Sequence, residues 1–164
     1  MKNKEQLEWV KTQLGKYPNF STNDYGTFEP QQSFADCMKN VTRESGAYVV
    51  VLEKESSFEV LYIGSSGKFR LNENGLGEIG VRKDGGIYAR LVKGKKKKQN
   101  RSKQWEIDLR EMKEFGLKLH IYWVQTAFDK VDVSINKIPL FVEATLMQSY
   151  YEHFKRPPAW NLSF

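Results

Sequence analysis

The stretch that most constrains the fold is Gly46–Lys68, GAYVVVLEKESSFEVLYIGSSGK, in which two apolar runs flank a polar turn and the second closes in a glycine-rich loop. Val49 to Leu52 and Val60 to Ile63 are β-branched and apolar and are bounded by charge and serine, the composition of a buried hairpin. If the runs pair antiparallel through Lys54 to Ser57, the start of the first lies beside the end of the second. Tyr48 and Tyr62 then share one place.

The elements downstream extend this hairpin into a domain. Gly64 to Gly86 holds seven glycines, which predicts a loop without regular structure that lets backbone approach a ligand closely. Its segment Gly64-Ser65-Ser66-Gly67-Lys68 lacks the spacing of a phosphate-binding P-loop, and nucleotide binding is rejected. Gly85 to Gly94 reads as a short helix with Ile87, Leu91 and Val92 on its apolar side and Arg90 beside it. Gln99 to Phe115 has a helical pattern ending at Gly116, and Leu117 to Thr126 alternates like a third strand. His120, within that strand, is read as structural.

Residues 1–45 read as a helical extension preceding a domain at 46–164. Leu7, Val10 and Leu14, with Trp9 beside them, predict a short helix stopped by Gly15 and Pro18. Phe20 to Gln32 is polar and turn-rich, and Phe34, Cys37, Met38 and Val41 predict a second short helix over the hairpin. Cys37 is a small core residue on that stripe; alone, it excludes an internal disulfide and a multi-cysteine zinc site. No apolar run approaches the roughly 18 residues of a membrane span, and MKNKEQLEWVK carries no apolar signal region. A cytoplasmic location and no membrane partner are expected.

The net charge is +6, but its distribution says more. Residues 82–103 carry ten Lys and Arg against Asp84 alone, a local charge of +9, whereas the remaining residues sum to −3. Lys93, Lys95, Lys96, Lys97, Lys98, Arg101 and Lys103 dominate this segment. Such a concentration suits neutralisation of phosphates and predicts salt-dependent binding to a polyanion; the alternative is a solvated lysine-rich face.

Pro139 to Phe154, PLFVEATLMQSYYEHF, is the clearest helix, with Pro at its first position. Glu143 has Pro139, Leu140, Leu146 and Met147 three and four residues away, all apolar, which predicts that it projects from the buried stripe. A carboxylate there needs a cation or donors to meet it. The alternatives are an arginine partner and a metal ion.

Gly46-Ala47-Tyr48 followed at hairpin spacing by Tyr62-Ile63-Gly64 resembles the GIY-YIG endonuclease signature, with Ala for the central Ile of the first triplet. Arg90 on the first helix after Tyr62-Ile63-Gly64, Glu143 on a late helix, and Asn161 after Pro157-Pro158 match further family positions in order. The resemblance implies an α/β (α+β) sandwich: a three-stranded antiparallel sheet flanked by helices, cutting phosphodiester bonds with one Mg²⁺ or Mn²⁺. It implies Glu143 as the metal ligand, Arg90 over the scissile phosphate, and Tyr48 or Tyr62 as general base. Arg82 competes with Arg90 but has glycines on both sides. A phenol of pKa about 10 is a poor base at neutral pH, so Lys68, Arg90 or the metal must favour phenolate. Members often carry His or Tyr four residues after the Arg; here that position is Gly94, leaving Tyr88 or Lys93 as substitutes. Asn161 is expected to anchor the end of the chain, and Gly64 to support the site.

A compact hydrolase of this kind is expected to be a restriction-type enzyme acting on double-stranded DNA as a homodimer. A catalytically silent nucleic-acid binder of the same fold and an RNA-directed nuclease are the alternatives.

Overall fold

In the computed structural model, residues 4–26, 33–80, 85–93, 101–112, 116–126 and 135–161 are described. The predicted hairpin forms: β2 (Gly46–Lys54) and β3 (Ser57–Ser66) pair antiparallel, with Lys54 opposite Ser57. The two-residue turn places Glu55 at φ 49° and Ser56 at φ 69°. Two successive left-handed residues give the turn the twist that joins antiparallel strands tightly, although neither is a glycine.

The register then slips. Val50 faces Tyr62 but Val51 faces Val60, so Leu61 is an extra residue, a β-bulge. The bulge turns Leu61 and Tyr62 to one face of the sheet while Val60 and Ile63 meet the other. Its Leu61 carbonyl accepts the Trp160 N–H at 2.7 Å, and the Asn161 side chain brackets Ile63, accepting from its N–H at 2.8 Å and donating to its carbonyl at 2.9 Å. The C-terminal segment thereby satisfies backbone groups of β3, which would otherwise be an open edge.

The third predicted strand is β6 (Lys118–Gln125), paired antiparallel with β2. The sheet has four strands, not the three expected. β1 (Ser21–Gly26) lies in the stretch read as turn-rich and pairs with the outer edge of β6, giving the order β1-β6-β2-β3. A second correction concerns the glycine-rich stretch: β4 (Lys68–Leu71) and β5 (Gly77–Gly80) form a separate two-stranded sheet. The architecture is thus a mixed α+β fold with a four-stranded antiparallel sheet, a two-stranded sheet and helices.

Helices cover both faces. On one, α1 (Glu5–Leu14) and α5 (Pro139–Phe154) bury Leu7, Trp9, Val10, Leu14, Val142, Leu146 and Tyr150 against Ala47, Val49, Val51, Ile63 and Val124. Gln6 is buried there because its Oε1 accepts from the Val60 N–H at 2.7 Å and the Tyr150 hydroxyl at 3.0 Å. On the other, α2 (Phe34–Cys37), α3 (Gly86–Val92) and α4 (Arg101–Glu111) bury Phe34, Met38, Ile87, Leu91, Trp105 and Leu109 against Tyr48, Val50, Leu119 and Ile121. Each fully buried aliphatic or aromatic side chain is worth about 1.5–3 kcal/mol. Both cores share β2, whose first seven residues are all buried.

Candidate functional site

The alternation of β2 and β3 decides where the phenols go. Tyr48 lies directly across from Gly64, with Tyr62 two residues back on the same face. The two rings stack with centroids 6.0 Å apart and planes at 30°. A Cβ on Gly64 would lie 2.8 Å from Cζ and the hydroxyl oxygen of Tyr48 and 2.6 Å from Cε1 of Tyr62. Glycine is needed here for space, since both rings lie over its Cα. Tyr48 is fully buried, whereas Tyr62, beside Trp105, keeps 9% of its surface.

Glu143 stands one turn into α5 and is half-buried. The buried stripe of that helix is Pro139, Val142, Leu146 and Tyr150; Leu140 is 64% exposed, so Glu143 sits at the margin of the stripe and not within it as expected. The Ser65 hydroxyl donates to its Oε2. Neither an arginine nor any other described cation forms an ion pair with it. Ser65 follows Gly64 and faces Ala47 of the α1/α5 core, so acid and phenols reach adjacent residues of β3 from opposite faces of the sheet. Ser65 was not singled out in the sequence, although its parity with Ile63 places it on the α5 side.

Arg90 lies in α3, as expected, and is half-buried; its Nε is buried with no hydrogen-bond partner among the described residues. An unpaired guanidinium nitrogen in that environment costs about 1–3 kcal/mol or more unless an acceptor is supplied. Two hydroxyls share this condition: those of Ser45 and Thr126, residues joined by a backbone hydrogen bond at 3.4 Å, are buried without partners among the described residues. Ser66 instead donates to the Gly86 carbonyl at 2.9 Å, tying the end of β3 to the start of α3.

The helper residues separate. The Tyr88 ring lies under the Arg43 guanidinium at 3.9 Å, a cation–π contact; Arg43 also donates to the Lys39 and Val41 carbonyls. Lys93 is the exposed residue that ends α3, and Lys103 is exposed on α4, where Arg101 is the first residue. Lys68 is not in a flexible loop. It opens β4, exposed, and its ammonium makes no hydrogen bond or ion pair among the described residues, so nothing ties it to a phenol. Asn161 anchors the C-terminal segment, on the backbone of Ile63. Arg82, Gly94, Lys95, Lys96, Lys97 and Lys98 lie outside the described residues. His120 is held between Asp24 and Glu53, each at 2.7 Å, a structural placement remote from the β3 end.

Among the described residues, no three His, Cys, Asp or Glu side chains group to hold a metal ion. A hard cation at Glu143 would rest on one carboxylate with water completing its shell, an arrangement Mg²⁺ tolerates. No helix among the described residues is long and apolar enough to cross a membrane. Compared with family models, curated proteins and solved structures, the chain matches none.

Proposed function

We propose that the chain is a divalent-metal-dependent endonuclease of the GIY-YIG type, hydrolysing phosphodiester bonds in DNA. One observation carries this reading: neither Arg90 on α3 nor Glu143 on α5, the two charges the chemistry needs, is neutralised by an opposite charge among the described residues. Structural charges in a protein interior are usually paired. Here the missing acceptor of Arg90 suits a phosphate oxygen, and the open carboxylate oxygen of Glu143 suits a cation.

In this reading Arg90 donates to the scissile phosphate and offsets charge that develops on it. Ser65 holds the Glu143 carboxylate in one rotamer. Tyr62, as the phenolate that Arg90 or the metal would favour, takes the proton from the attacking water, because Tyr48 is fully enclosed; Tyr48 fixes the Tyr62 ring by stacking. Mg²⁺ or Mn²⁺ bound at Glu143 would polarise the phosphate and lower the pKa of bound water. The basic residues of 93–103 track the backbone of the substrate. The form of the activity we propose is restriction-type, with two chains on a two-fold site.

A catalytically silent nucleic-acid binder is favoured by a different observation, the sheet lying between Glu143 and the phenols. Incubating supercoiled plasmid with the protein and Mg²⁺ or Mn²⁺ separates the two. The nuclease reading expects nicked or linear product from the wild type and at least about a 10²-fold loss with Glu143→Ala while DNA retardation persists. Retardation without cleavage in both proteins would leave the binder. Running the assay on RNA in parallel decides the substrate.

A further inference from the structure

The β4–β5 hairpin has no role in the chemistry above, yet it grows out of the site. Its first strand begins two residues after Ser66, and at its base Gly67, with φ +124°, is pressed against Ser45, Pro139 and Ile79. A Cβ there would lie 2.5 Å from Cβ of Ser45 and 3.0 Å from Cγ of Pro139, the residue one helical turn before Glu143. The base of the hairpin is therefore packed on the first turn of the helix that carries Glu143. Its tip is ordered too: the Asn72 side chain accepts from the N–H groups of Asn74 and Leu76, both at 3.0 Å, and its N–H donates to the Leu76 carbonyl at 2.8 Å.

What this ordered projection offers is apolar. Phe69 and Leu71 share one face, with Phe69 opposite the buried anchor Ile79 and its ring across Gly77. Leu71 is 66% exposed, Phe69 46% and Leu76 44%. The other face carries Lys68 and Arg70, the latter paired with Glu78. With Glu73 at the tip, the hairpin is electrically neutral in a chain of net charge +6. A neutral ribbon does not neutralise phosphates. A two-stranded ribbon is nonetheless of a size to enter a DNA groove, and preordered apolar side chains at its tip suit insertion against bases.

Resting on the nuclease reading for the kind of partner, we infer that the β4–β5 hairpin is a wedge that places Leu71, Phe69 and Leu76 against the bases of duplex DNA beside the scissile phosphate. It supplies the salt-independent part of binding, and the basic segment the salt-dependent part.

The test uses the full chain without divalent metal and a pool of random-sequence duplexes carrying 2-aminopurine, whose fluorescence rises on unstacking. The comparison variant is Phe69→Ser/Leu71→Ser/Leu76→Ser, checked for wild-type circular dichroism and melting temperature; Leu71→Ser alone, the most exposed position, serves if the triple variant is destabilised. The wild type is expected to raise the fluorescence severalfold. The variant should lose that rise and bind about ten- to a hundredfold more weakly, with an unchanged slope of log affinity against log salt. A variant that keeps the fluorescence rise, a wild type that never produces one, or a variant whose sole change is from dimer to monomer in sedimentation would overturn the wedge. Unstacking by a wild type that cuts nothing with Mg²⁺ or Mn²⁺ would sink the nuclease and leave the wedge standing.

Discussion

Replacing Gly64 by alanine tests whether the two phenols are seated as a unit. The added methyl carbon would lie 2.6 Å from Cε1 of Tyr62 and 2.8 Å from both Cζ and the hydroxyl of Tyr48, about 0.6–0.8 Å inside ordinary contact. Tyr48 has nowhere to retreat, being fully buried among Val50, Ile87 and the Tyr62 ring. Overpacking of this kind costs about 1–3 kcal/mol, and for a chain of this length each kcal/mol lowers the melting temperature by about 2–4 °C. A fall of roughly 2–12 °C is therefore expected by differential scanning calorimetry. Cleavage should fall further than stability, since a ring displaced by even part of an ångström loses its alignment with the attacking water. Adding Tyr48→Phe removes one of the three close contacts and should recover part of the melting temperature without restoring cleavage. An alanine variant with both the wild-type melting temperature and wild-type cleavage would show that the rings are not held over Gly64 as described.

Three other outcomes are expected. Ser65→Ala frees the Glu143 carboxylate, and the concentration of Mg²⁺ or Mn²⁺ needed for half-maximal cleavage should rise about 10–100-fold with little change in melting temperature. Glu55→Asn/Ser56→Gly puts residues that tolerate positive φ into the β2–β3 turn and should stabilise the chain by about 1 kcal/mol or more in urea denaturation; no gain would argue against the left-handed pair. Tyr122, buried and stacked on Phe20, has its pKa pushed up to about 12, first by burial and then by the charges of Asp24, Glu53 and Glu8. Its phenol is neutral in both states below the unfolded pKa of about 10, so stability falls only as pH rises from there toward the folded value; at pH 11 the loss is roughly 1.4 kcal/mol. Tyr122→Phe should flatten that slope between pH 9 and 11 in denaturation curves, while Tyr17, Tyr25 and Tyr150, also raised by burial, keep the remainder.

The elements legible from the sequence are those whose signal is local. Pro139–Phe154 begins and ends where proline and apolar spacing put it, and the β2–β3 hairpin turns where charge and serine interrupt two β-branched runs. Gly86–Val92 and Lys118–Gln125 were equally readable from their periods. Arg90, Glu143 and the paired phenols were legible as candidates because each sits in such an element, and Asn161 from its place after Pro157-Pro158.

What the chain does not encode locally is the partner of each element. Ser21–Gly26 is too polar to announce itself and is a strand because the edge of β6 offers it a ladder of hydrogen bonds. The glycines of 67–80 look like breakers, yet pairing across Asn72–Leu76 makes two strands of them. The bulge at Leu61, the hold of Ser65 on Glu143 and the separation of acid from phenols by the sheet all depend on register, which no one segment contains. Periodicity along the chain thus determined which residues are buried and in what kind of element. Only the three-dimensional pairing decided which side chains meet, because contacts between distant segments are selected by the closure of the whole core and not by any stretch alone.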